Sequence, residues 1–142
     1  VSATADDADD SRHPAGRLGL RPGQVVQELG WDEDCDDELR TSVETVIGSE
    51  LVDDQYEDVV DAVLLWWRDD DGDLVDALVD SLTSLGDGGV VWLLTPKAGR
   101  AGHVEPSDIG DAAPTAGLHA TSSVSAGRDW SGTRLSTRRT SR

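Results

Sequence analysis

Gly23-Gln-Val-Val-Gln-Glu-Leu-Gly-Trp-Asp-Glu-Asp34 reads as a strand, a turn and the start of a helix. In α/β domains that hold nucleotides this turn is rich in glycine, because backbone amides must come close to the ligand. Here Gly30 is followed at once by Trp31, Asp32, Glu33 and Asp34. A bulky indole hinders close approach, and three carboxylates repel an anion. The stretch predicts a nucleotide-binding type of scaffold that has lost its usual ligand site.

Working outward, Arg21-Pro22-Gly23 is a turn signal that launches the strand, expected over 24–29. Asp32 or Asp34 is expected to cap the following helix, whose apolar stripe is Leu39, Val43, Val46 and Ile47. Gly48 is a plausible stop. Glu50–Val52 is short, and whether it forms a second strand, in vestigial form, is left open by the sequence. Val59–Trp67 is nearly all apolar, as in a parallel strand covered on both faces. Leu74, Leu78, Leu82 and Leu85 line a helix over 73–85, closed by Gly86-Asp-Gly-Gly89, and Val90–Leu94 is the next strand. Pro106 opens a short helix. His119–Ala126 and Thr133–Thr137 form a terminal antiparallel pair joined by 127–132. The expectation is an acidic, disordered arm over 1–17, one α/β domain over 18–139 and a frayed basic tail over 140–142.

The chain has 142 residues and a formal net charge of −17. Residues 1–92 carry 25 acids against 5 bases, whereas residues 93–142 carry 4 against 7. The acidic part disfavours nucleic acid and anionic membrane, and it offers a surface to a basic protein partner. Cys35 is the only cysteine, so no intrachain disulfide forms, which fits a reducing cytoplasm. Val1–Ser11 lacks the apolar run of a secretory leader, and the longest apolar stretch, Ala62–Trp67, is far too short for a membrane span.

No constellation carries catalysis. Placing Gly72 at the centre of a calcium loop puts Trp67 and Leu78 at ligand positions, so that pattern fails and no metal site is expected. His13, His103 and His119 are scattered. The loop Thr95–His103 follows an apolar strand, where ligands of open sheets gather, and sets Lys97, Arg100 and His103 among glycines. It is the candidate contact for a carboxylate or phosphate on a ligand or partner. Trp31 and Trp130 fall in connections and read as packing lids or interaction anchors. Trp31 in particular is expected to fill the vacant ligand pocket.

The order strand–helix, strand–helix–strand, helix, hairpin resembles the class I methyltransferase scaffold. More narrowly, Leu18-Gly-Leu-Arg-Pro-Gly-Gln24, Trp66-Trp67, Leu85-Gly-Asp-Gly-Gly-Val-Val-Trp-Leu-Leu-Thr-Pro-Lys97 and Trp130-Ser-Gly-Thr-Arg-Leu135 resemble a small bacterial family common in actinobacteria, domain-of-unknown-function family 3052. The resemblance spans about residues 17–139 and implies a small Rossmann-like sheet, mostly parallel, with helices on both faces and a C-terminal hairpin. It implies a cytoplasmic address and no assigned activity. S-adenosylmethionine binding in that scaffold uses an acidic-x-Gly-x-Gly-x-Gly turn. Glu28-Leu-Gly30 matches its start, and Asp32 and Asp34 replace its next two glycines. No catalytic residue and no cofactor is therefore expected. The leading expectation is a non-catalytic interaction or regulatory protein. The alternatives are a divergent methyltransferase or other small-ligand enzyme, and a module that forms homodimers through the hairpin edge.

Overall fold

The computed structural model describes residues 18–137, so the expectations for the arm at 1–17 and the tail at 140–142 lie outside the described residues. The elements are β1 (Val26–Leu29), α1 (Asp37–Ile47), β2 (Val60–Trp66), α2 (Leu74–Ser81), β3 (Leu85–Pro96), α3 (Pro106–Thr115), β4 (Leu118–Ser125) and β5 (Trp130–Thr137). One five-stranded sheet has the order β1-β2-β3-β5-β4. Strands β1, β2 and β3 are parallel, with Val63 beside Val91, while β5 is antiparallel to both β3 and β4.

The sheet is therefore mixed, which corrects the mostly parallel sheet expected from sequence. The hairpin supplies two of the five strands. The Glu50–Val52 stretch adds no full strand. It reaches β1 through a single parallel bridge, Gln27 to Val52.

Side chains of successive strand residues point to opposite faces, and both faces here are apolar. On one face Val26, Ala62, Leu64, Trp66, Trp92 and Leu94 pack against Leu39, Val43 and Ile47 of α1. On the other, Val63, Leu65, Val91, Leu93 and Leu135 meet Leu78 of α2 and Ile109, Ala112 and Ala113 of α3. Two-sided burial explains the unbroken apolar runs of β2 and β3.

Local signals decide the boundaries. Asp36, rather than Asp32 or Asp34, caps α1: its Oδ1 accepts from the Leu39 N–H at 3.0 Å. Asp32 serves the preceding turn, accepting at its backbone carbonyl from the Cys35 N–H at 3.1 Å. Helix α2 stops at Ser81, short of the expected Leu85, and β3 runs through the glycines expected to be a loop. Those glycines serve close packing. A Cβ on Gly89 would crowd the Leu85 side chain and lie 2.9 Å from the Asp61 carbonyl oxygen.

Candidate functional site

Strands β1 and β2 end side by side, with Leu29 opposite Leu65. Beyond them the turn 30–36 crosses the end of β2. Gly30 has φ +79°, and a Cβ there would collide with the Trp66 carbonyl oxygen. The close approach that glycine permits is used by the chain's own backbone.

Arg68, just past β2, fastens this turn. Its Nε donates to Asp34 Oδ2 at 3.0 Å and its Nη2 to Asp34 Oδ1 at 2.5 Å. Nη1 donates to the Gly30 carbonyl at 2.9 Å and to Asp71 at 3.3 Å. Nη2 also reaches Cys35 Sγ at 3.4 Å. The guanidinium lies 5.3 Å from the Trp130 ring centroid, a cation–π distance. Trp130 stands edge-on to Trp66 at 4.8 Å, and its Nε1–H donates to the Asp34 carbonyl at 3.2 Å.

Glu28, which matches the acidic position of the cofactor motif, is committed inside the fold. Its carboxylate accepts from Arg40 Nε at 2.6 Å, Arg40 Nη2 at 2.9 Å and Trp66 Nε1 at 2.9 Å. The side chain is 9 % exposed.

The Arg68 hydrogen bond holds the Asp34 carboxyl below its ordinary range, against a smaller opposing effect of burial. Burial works against the charge on Arg68, but its bonds to Asp34 and neighbouring groups win, and its pKa is raised. The hydrogen bond to Glu28 likewise raises that of Arg40. Burial pushes the Cys35 thiol up to about 11, so it is protonated and unreactive at neutral pH.

The residues singled out from sequence separate into distinct settings. Trp31 does not fill the pocket: it is 51 % exposed, 5.6 Å from the Arg40 guanidinium. The indole that packs beneath the turn is Trp130, the first residue of β5 and 3 % exposed. Lys97 and Arg100 both engage Asp129: the Lys97 N–H donates to its carbonyl at 2.9 Å, and Arg100 Nη2 lies 2.5 Å from its carboxylate. His103 is held by its Nδ1, 2.9 Å from the Pro96 carbonyl oxygen. Sequence reasoning missed Glu28 as an anchor, and Arg40 and Arg68 altogether. A signal existed, since these are the only basic residues between Pro22 and Pro96 in a strongly acidic stretch.

Two cavities are lined by no residue of the turn 30–36. One, about 440 Å³, opens between α3 and the hairpin. The other, about 420 Å³, borders Leu29, Asp54, Tyr56 and α2. It runs along the sheet face as far as Ser84, whose carbonyl accepts from the Val60 N–H at the amino end of β2. Among the described residues no group of three or more His, Cys, Asp or Glu is arranged to hold a metal, and no helix is long and apolar enough to cross a membrane.

The chain belongs to the family described as "Protein of unknown function (DUF3052)", which it matches over residues 15–139. Uncharacterised proteins of Mycobacterium tuberculosis and Mycobacterium bovis are 52 % identical to it over 128 residues, covering 90 % of this chain and 80 % of theirs. Among solved structures it resembles the mitomycin 7-O-methyltransferase MmcR, with a TM-score of 0.61 at 12 % identity over 88 % of this chain and 53 % of that one. It also resembles a SAM-dependent methyltransferase from Aquifex aeolicus, with a TM-score of 0.55 at 13 % identity over 86 % of this chain and 88 % of that one. At these identities the likeness is one of fold: an α/β, methyltransferase-like architecture.

Proposed function

We propose that this protein is a non-catalytic interaction or regulatory protein on a methyltransferase-like scaffold. The observation that carries the reading is the Arg68 fastening of the turn 30–36. A cofactor at this position would need the backbone amides, the acid and the space at the ends of β1 and β2. Gly30 lies against Trp66, Glu28 is spent on Arg40 and Trp66, and Trp130 underlies Arg68.

What the turn presents outward is a half-exposed Trp31 beside Asp32, Glu33, Asp37 and Glu38. An indole anchor within an acidic rim suits a protein partner with a basic contact surface. The setting we infer is cytoplasmic.

Calorimetry and thermal shift with S-adenosylmethionine, S-adenosylhomocysteine and common nucleotides test the vacancy. A ligand at about 100 times its dissociation constant would add about 2.7 kcal/mol of stability. The expected result is no shift and no saturable heat. Pulldown from native lysate, with wild type beside Trp31→Ala, tests the partner: loss of a specific protein in the variant is expected.

One observation favours a second reading, a divergent enzyme of the methyltransferase type. Asp54 lines the cleft beside Leu29 and Tyr56, close to where the scaffold normally holds a ribose. The ligand titration decides between the two, since saturable S-adenosylmethionine binding lost in Asp54→Asn would replace the first reading with the second.

A further inference from the structure

We propose that the cavity between α3 and the terminal hairpin binds an uncharged small molecule, a ring with hydrogen-bonding groups along one edge. The inference is independent of the reading above, because none of the turn 30–36, Glu28 or Arg68 lines this cavity.

The floor is built by strand register. Thr95 pairs with Ser131, and Thr133 pairs with Ser123, so hydroxyls from three neighbouring strands share the face that α3 covers. Thr95 is 3 % exposed and Thr133 9 % exposed. Both threonines line the cavity. Valine would fill much the same volume at either position, so shape alone does not call for a hydroxyl there. Hydroxyls donate and accept alike, so together they suit a polar edge with both kinds of group.

The opposite wall is apolar. Val104 and Ile109 are buried there, and His103 also lines the space, its Nδ1 2.9 Å from the Pro96 carbonyl oxygen. No Asp, Glu, Lys or Arg lines the space. A cation would find no carboxylate in it, and an anion no Lys or Arg. An uncharged guest remains. The volume of about 440 Å³ lies in the range of small-molecule sites.

Gly110 lies at the edge of the space and is exposed. It sits inside α3, where glycine is the weakest helix former after proline. Its φ is not left-handed, and a Cβ built on it would meet nothing within 4 Å. Neither backbone conformation nor close packing calls for glycine here. Gly110 borders the cavity, so on this proposal a long side chain here narrows it.

Nicotinamide and nicotinate serve as probes, since they share a ring and differ by an amide against a carboxylate. Backbone amide signals of the ¹⁵N-labelled protein are followed by NMR during titration. Nicotinamide is expected to move the signals of Gly110, Thr95 and Thr133 saturably, with a dissociation constant of about 1–10 mM for so small a ligand, and nicotinate is expected to leave them in place. Gly110→Leu should weaken binding at least about tenfold while holding or raising the melting temperature, because leucine is the better helix former. Thr95→Val, which keeps the shape, should weaken it about threefold to tenfold through loss of one hydrogen bond; it carries the test if the leucine variant does not fold. No saturable movement at these amides, an equal response to nicotinate, or unchanged affinity in a folded Gly110→Leu or Thr95→Val would overturn the proposal.

Discussion

Two nitrogens of Arg68 engage the two carboxylate oxygens of Asp34, at 3.0 and 2.5 Å, in a side-by-side pair that ties the end of β2 to the turn after β1. The two residues are 34 positions apart in sequence. Arg68 is 12 % exposed at its side chain and Asp34 54 %. Arg68→Ala should therefore cost about 2–3 kcal/mol, less than for a fully buried pair. Arg68→Lys should recover only part of this, because an ammonium cannot reproduce the planar fork. Urea unfolding of the three proteins measures the difference. A loss below about 0.5 kcal/mol, the level of an ordinary exposed ion pair, would show that the fastening is incidental.

The same pair makes stability depend on acid. Asp34 titrates lower in the folded protein than in the unfolded chain, so the unfolded state takes up its proton first as pH falls. The contribution of Asp34 is present above the ordinary carboxylate pKa of about 4 and is lost as pH drops through the lower folded value. Wild type and Asp34→Asn should differ by a constant amount near neutrality, within about 1 kcal/mol for a half-exposed group. The gap should close in acid. Denaturation midpoints across an acid series would reveal it, and a pH-independent gap would contradict the assignment.

Gly30 and Gly48 make a matched comparison. Both have φ near +80°, but only Gly30 would bring a Cβ into collision, with the Trp66 carbonyl oxygen. Gly48→Ala should cost about 1 kcal/mol, the strain of a left-handed residue. Gly30→Ala should cost about 3 kcal/mol or more, since strand ends must also separate. Equal losses in thermal melts would mean that the crossing over β2 is looser than described.

Cys35 should be a protected thiol. With burial raising its pKa to about 11, it should react slowly with a thiol reagent in the native state and quickly once unfolded. In alkali the unfolded chain loses this proton first, near about 8.5. Stability should therefore decline from there up to about 11. Cys35→Ala should flatten that decline, as followed by unfolding at a series of alkaline pH values.

Periodicity exposed the helices and the two central strands because each buries a continuous apolar surface. The Leu39, Val43 and Ile47 stripe and the 60–66 run needed nothing beyond their own spacing. Gly86–Gly89 misled for a physical reason: glycine marks both chain breaks and close strand contacts, and only the neighbour, here Leu85 and Asp61, tells which. Trp130 was placed in a loop because one aromatic beside Asp129 carries no period. That the turn after Gly30 departs from a glycine-rich form was legible in Trp31, Asp32 and Asp34. Its fastening was not, because the contact between Arg68 and Asp34 depends on strand adjacency and not on local pattern. The hydroxyl floor under α3 was hidden for the same reason, since Thr95 and Thr133 meet only through register.

Val52 lies against the outer side of β1. Its N–H donates to the Val26 carbonyl at 3.0 Å, and its carbonyl accepts from the Glu28 N–H at 2.8 Å. With only four residues in β1, that single contact blunts the whole margin. Among the described residues the other margin, Leu118–Ser125, pairs on one side only, with β5, and so offers a place for strand addition by a second copy. Two molecules joined there antiparallel would use up both free margins at once, and growth would halt at a closed pair instead of running on into a fibre.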